Sequence, residues 1–364
     1  MTPSPARTRA TARTTTRTTT RTTARVLAAA AGCAALLATS GCGSASVGAA
    51  SSTPVVGLIT KTADSGYFKA LRAGAEQEGS ALGVTVRSYA GTGESDTATQ
   101  IAAIKELEAM GAEGILITPS GKDVLPAIAE ARQKGLLVVA LDSPTDPADA
   151  VDTTFATDNF AAGRSIGQWA ARNVDPARAR IAMLDLSDAQ VPVDVARDQG
   201  FLSGFGIDLA DPSKIGDEKD PRISGHAVTG GDAAGGKAAM EKLLAADPKI
   251  NLVYTINEGS AMGAHEALQA AGRADQVTVV SIDGGCDGVK AVAAGQIGAT
   301  AMQFPLRMAR LGLDAVIDHA LTGDVPSSSP GLAFFNTGSQ LVTDKPVDGL
   351  YSKGTDWAAK SCWG

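Results

Sequence analysis

From Pro54 onward, short apolar runs rich in β-branched residues alternate with longer amphipathic stretches. The apolar runs fall at 55–60, 84–89, 114–118, 136–141, 179–185, 251–256, 276–282 and 297–302. Their near-continuous apolar character is that of parallel strands covered by helices on both faces. Between them the period becomes helical. In 96–110, Ile101, Ile104 and Leu107 share one face, Asp96 stands where a side-chain N-cap belongs, and Gly111 closes the helix. The alternation runs through once before about residue 157 and again after it, which predicts an α/β fold of two similar doubly wound parallel-sheet lobes.

The first 53 residues follow a different pattern. Residues 1–25 carry Arg7, Arg9, Arg13, Arg17, Arg21 and Arg25, many threonines and no acid, and the 13-residue apolar run Val26–Ala38 follows. That run is too short for a membrane-spanning helix of about 20 residues and reads as the apolar core of a signal peptide. Thr39-Ser40-Gly41 then precede Cys42, which resembles the lipobox of bacterial lipoproteins, with threonine where leucine is usual. The reading is a lipoprotein signal peptide over 1–41, an acylated Cys42, and a flexible Ser/Ala/Gly tether over 42–53.

Charge and length then narrow the class. Removing residues 1–41 takes away six arginines and no acid, so the formal charge moves from −7 to −13, which repels nucleic acid. The remaining chain is long enough for two domains of roughly 150 residues. With Cys42 acylated, Cys286 and Cys362 are left either as a disulfide in an oxidising compartment or as two buried thiols.

In doubly wound sheets ligands bind beyond the carboxyl ends of the strands, so the residues leaving each strand are the candidates for chemistry. They are Asp64, Ser65, Tyr67 and Phe68 after the first run, Asp142 and Ser143 after the fourth, and Asn257 and Glu258 after 251–256. Asp283 follows 276–282 and Gln303 follows 297–302. Amides and carboxylates each pair with vicinal hydroxyls, and aromatic faces cover the C–H faces of a sugar ring, so the set suits a neutral polyol. A polar residue after a strand, taken alone, is more often a helix cap or turn former, and Tyr67 and Phe68 alone read as core; convergence of five loops on one cleft favours a site.

The same stretches carry a resemblance to a known family. Gly57-Leu58-Ile59-Thr60-Lys61-Thr62, Ala140-Leu141-Asp142, Phe155-Ala156-Thr157-Asp158-Asn159, Tyr254-Thr255-Ile256-Asn257-Glu258, Ser281-Ile282-Asp283-Gly284-Gly285-Cys286, Met302-Gln303-Phe304-Pro305 and Cys362-Trp363-Gly364 together resemble the ribose-type sugar-binding proteins of ABC importers. The likeness is strongest to their fructose-binding branch. It implies the type I periplasmic binding protein fold, Tyr67 and Phe68 as stacking aromatics, and Asp142, Arg197, Asn257, Asp283 and Gln303 as hydrogen-bonding groups. Gln190 and Glu258 are further candidates for the pocket wall. Ser65-Gly66 replaces the Asn-Pro of ribose binders, and Ser143 replaces an arginine, which moves the expected sugar from ribose to fructose.

The resemblance also implies closure about a hinge of three crossings, near Thr157-Asp158, near Gln303-Phe304 and around 330–340. One lobe would comprise 54–157 plus 304–330 and the other 158–303 plus 331–364. The expected partners are a monosaccharide, an ABC permease with its ATPase, and the outer face of the cytoplasmic membrane through the lipid alone; a monomer without cofactor, metal or nucleic acid is expected. An enzyme is disfavoured: His226, His265 and His319 show no metal-ligand spacing and read as surface or helix residues, and Gly230–Gly236 reads as a strand-to-helix turn rather than a phosphate loop.

Overall fold

The computed structural model describes residues 53–93 and 95–364. The signal segment 1–41, Cys42 and all but the last residue of the tether lie outside the described residues.

The first half alternates β1 (Val55–Thr60), α1 (Gly66–Leu82), β2 (Thr85–Ala90), α2 (Thr97–Met110), β3 (Gly114–Ile117), α3 (Leu125–Gln133), β4 (Leu137–Leu141) and β5 (Thr153–Ala156). Past Thr157-Asp158 come α4 (Asn159–Asn173), β6 (Ile181–Asp185), α5 (Pro192–Phe205), β7 (Ile223–Val228), α6 (Ala233–Ala246), β8 (Leu252–Thr255), α7 (Glu258–Ala270), β9 (Thr278–Asp283), α8 (Cys286–Ala293) and β10 (Ala299–Met302). The chain then returns through α9 (Pro305–Thr322) and β11 (Phe335–Asn336), and ends in β12 (Gln340–Val342) and α10 (Thr355–Ala358).

Among the described residues these strands form two six-stranded sheets, ordered β11-β5-β4-β3-β1-β2 and β12-β10-β9-β8-β6-β7. The pairs are parallel except β10 with β12. Alternate residues feed opposite faces: on β4, Leu137, Val139 and Leu141 enter one core cluster, while Val138 and Ala140 enter another. On β6, Ile181 and Met183 face one way, Ala182 and Leu184 the other. Double-sided burial explains why the strands read as continuous apolar runs.

α2 starts at the expected cap, where the Asp96 carboxylate accepts from Thr99 N–H, and ends at Gly111 in the left-handed conformation. Three details differ from expectation. Phe335–Asn336 pairs with β5, so the last crossing falls after residue 336 and not at 331. β5 and β7 carry too much Thr, Ser, Gly and His to register as apolar runs, yet both pair in parallel ladders. His226 is therefore a strand residue on β7, held between carboxylates, not a surface or helix residue.

Candidate functional site

α4 and α5 pack so closely that their glycines are obligatory. A Cβ at Gly163 would stand 2.1 Å from the Arg197 carbonyl oxygen, and one at Gly200 would stand 2.2 Å from that of Phe160. This contact sets the buried Arg197 against Asn159: its Nε donates to Asn159 Oδ1 at 2.8 Å and its Nη1 to the Ile256 carbonyl at 2.9 Å. The guanidinium is thereby fixed, with Asp283 Oδ1 3.6 Å away.

Around that group lies a cavity of about 110 Å³ between the carboxyl ends of the two sheets. A water needs roughly 10–15 Å³ of such space, so the cavity has room for a small organic molecule. From the first sheet it is lined by Lys61, Ser65, Tyr67, Phe68, Asp142 and Ser143. From the second come Leu186, Val191, Val193, Arg197, Ile256, Asn257, Asp283 and Gln303. Loops leaving β1, β4, β8, β9 and β10 thus meet at one place.

Two lining residues, Asp142 (φ 69°) and Asp283 (φ 147°), hold backbone conformations that L-residues rarely adopt. Such strain is concentrated at functional sites. Asp283 accepts from Gln303 Nε2 at 2.9 Å. Burial raises its carboxyl to about 6, offset in part by Arg197 and reinforced by repulsion from Asp142. Gln303 is buried, its Oε1 has no protein partner, and it lines the cavity, so an acceptor there awaits a donor from elsewhere.

Ser143 Oγ donates to Asp142 Oδ2 at 3.1 Å. The Tyr67 ring meets Phe68 and Trp363 edge-on, at centroid distances of 5.6 and 5.4 Å, and its hydroxyl rests on the Met308 sulfur. Burial, then the neighbouring Asp142 carboxylate, holds that hydroxyl well above its ordinary range, so it remains a neutral donor. Trp363 is itself anchored: its Nε1 donates to the Gln303 carbonyl, and Cys362 beside it is bonded to Cys286, with Cα atoms 4.9 Å apart.

Not every expected residue reaches the cavity. Asp64 is exposed outside it. Gln190 lines an adjoining cavity and its Oε1 accepts from Ile215 N–H. Glu258 lies behind the wall, where it accepts from Gly284 N–H, Gly285 N–H and the Thr300 hydroxyl and so fixes the turn after Asp283. Burial, then Asp283, pushes its carboxyl up to about 8. Asn257 lines the cavity but also caps α7, accepting from Ser260 N–H and donating to the Gly231 carbonyl.

Lys61, Leu186 and Ile256 were missed although each directly follows a strand, the position that flagged the others. Val191 and Val193 come from the start of α5 and carried no polar signal.

A family model described as a periplasmic binding protein domain matches residues 56–324. The ribose import binding protein of Salmonella typhimurium is 28% identical over 275 residues, covering 74% of this chain and 85% of that protein. The D-allose-binding periplasmic protein of Escherichia coli is 27% identical over 295 residues, covering 79% and 91%. Among solved structures, an ABC transporter solute binding protein from Mycobacterium smegmatis with bound glycerol is 25% identical with a TM-score of 0.68, covering 80% of this chain and 94% of its own. An ABC transporter periplasmic solute binding protein from Actinobacillus succinogenes with bound D-allose shares the fold, at a TM-score of 0.70 and 21% identity, covering 80% and 98%. All four are binding proteins rather than enzymes.

Proposed function

The chain belongs to the periplasmic binding protein family, and on that premise we propose that it captures a monosaccharide in the cavity between its sheets and delivers it to an ABC permease. It is a binding protein and not an enzyme. The observation that carries the reading is the buried, unpartnered Gln303 Oε1 on a wall shared with Arg197, Asp283 and Asp142. A vicinal diol supplies the missing donor to Gln303 and further donors to the two carboxylates, while its oxygens accept from Arg197. Phe68 and Tyr67 offer apolar surface for the ring carbons.

The relatives are named for ribose and D-allose, and this chain's small Ser143 beside Asp142 leads us to choose fructose. Contacts to both lobes would stabilise a closed arrangement over an open one, with Thr157-Asp158, Gln303-Phe304 and Thr337–Ser339 as the hinge. Export with Cys42 acylated completes the reading; intact mass of protein from native membranes should show a lipid-modified cysteine at the mature N-terminus, and an unmodified one refutes the anchor.

The test of the ligand is a thermal-shift screen against fructose, ribose, allose, galactose, glucose and inositol. One sugar should raise the unfolding midpoint by several degrees through linkage. A flat response to all six rejects the sugar assignment.

A further inference from the structure

A second cluster lies at the β7 edge of the second sheet. Asp185 ends β6, His226 lies on the adjacent β7, Asp198 comes from α5, and Glu218 from the segment between α5 and β7. His226 Nδ1 is 2.8 Å from Asp185 Oδ2 and its Nε2 is 2.6 Å from Glu218 Oε1. One ligand atom each from Asp185, Asp198 and His226 lie within 4.8 Å of one another. Ligand atoms held about 2.0–2.2 Å from a common ion stand up to roughly 4.4 Å apart, so only a small adjustment separates this set from a coordination shell.

An independent observation points into the same spot. Asp198 and Tyr254 are completely buried, yet Asp198 Oδ2 and the Tyr254 hydroxyl have no protein partner. Asp185 Oδ1 and Glu218 Oε2 are in the same condition. Gln199 Nε2 donates to the other Asp198 oxygen, Oδ1, at 3.0 Å. Buried carboxylate oxygens without donors are costly, and Asp198 Oδ2, Asp185 Oδ1 and Glu218 Oε2 remain acceptors with none.

We propose that Asp185, Asp198 and His226 bind a divalent transition-metal ion such as zinc or manganese. Glu218 is the positioning residue: with Nδ1 on the metal, the Nε2–H of His226 donates to Glu218 Oε1, the carboxylate–histidine–metal arrangement that fixes tautomer and ring orientation. One imidazole with two carboxylates is a donor set for borderline metals rather than for calcium. A cavity of about 410 Å³, lined in part by Asp185, His226, Ser187 and Gly216, supplies an entry path and space for water ligands. The competing description is a proton-sharing cluster, since burial and then Asp185 raise the Asp198 carboxyl well above its ordinary range. The proposal stands independently of any sugar in the cleft.

The full chain, stripped with EDTA, is titrated calorimetrically with Zn²⁺, Mn²⁺ and Ca²⁺. The expected result is one Zn²⁺ or Mn²⁺ per chain with a Kd below about 10 μM, and an unfolding midpoint raised by several degrees. Asp198→Asn should weaken binding at least tenfold, and Glu218→Gln by about 10- to 100-fold. Co²⁺-loaded protein should show a ligand-field absorption that His226→Gln alters. The proposal is overturned if neither transition metal binds at 1:1 below about 1 mM, if only Ca²⁺ binds, or if affinity is unchanged in Asp198→Asn. Should Asp198→Asn fail to fold, unchanged affinity in both Glu218→Gln and His226→Gln overturns it equally.

Discussion

Asp283 joins the two halves of the site's chemistry, because its carboxylate touches Gln303 and Arg197 and feels Asp142 across the cleft. With that carboxyl raised to about 6, sugar hydroxyls have an ionised acceptor above pH 6 and lose it below. Affinity should therefore be highest at neutral pH and fall as pH drops through 6, by about tenfold at one pH unit below the pKa; calorimetry at pH 7.5 and 5 measures it. Gln303→Leu removes both the free acceptor and the donor to Asp283, and should weaken binding by about 10- to 100-fold with little change in fold. Tyr67, Phe68, Asp142, Asp283 and Gln303 were legible because each closely follows an apolar run. The same positional rule selected Glu258, but its carboxylate is consumed by two backbone amides and a threonine, a pairing that only the folded register reveals.

The pair α4–α5 and the C-terminal tail place those residues. Gly200→Ala would drive a methyl against the Phe160 carbonyl, so the helices must separate. The expected loss is about 1–3 kcal/mol or more, measured by denaturant unfolding, with sugar binding weakened in parallel because Arg197 rides on α5. The Cys286–Cys362 disulfide closes a separation of 76 residues and holds Trp363 against Tyr67. Reduction should cost roughly 4 kcal/mol by chain entropy and lower the unfolding midpoint, read with and without reductant. Eight of the strands announced themselves as apolar runs, most of them because burial on both faces leaves few polar positions, although the edge strand β2 exposes Arg87 and Ser88. β5 and β7 did not: Thr153 and Thr154, and then Gly225 and His226, take ladder positions that side-chain chemistry hides, while Ser224 is passed over where the β7 register shifts. Spacing along the chain likewise concealed the approach of Asp185, Asp198 and His226, which lie on three different elements.

At the scale of the molecule, the three crossings lie where β5, β10 and β11 end, and two of them are tied together, because Asn336 Oδ1 accepts from both Asp158 N–H and Gly338 N–H. Such a hinge predicts a smaller radius of gyration in small-angle scattering once sugar is bound, and an unchanged one counts against closure. Buried acids set the pH response of stability. Glu258 and Asp283 have folded pKa values raised to about 8 and about 6, above their ordinary 4.5 and 3.8. The folded state then binds more protons than the unfolded one between those limits, so their contribution is complete below pH 4 and lost as pH rises toward 8. Among the described residues no helix is long and apolar enough to cross a membrane. The central claim is that a monosaccharide occupies the cavity between the sheets, and calorimetric titration of the wild type and Asp283→Asn with the same sugar tests it most directly. The account predicts one sugar per chain, fructose tightest, with affinity reduced about 10- to 100-fold in the variant. No heat with any monosaccharide, or equal affinity in both proteins, would contradict it.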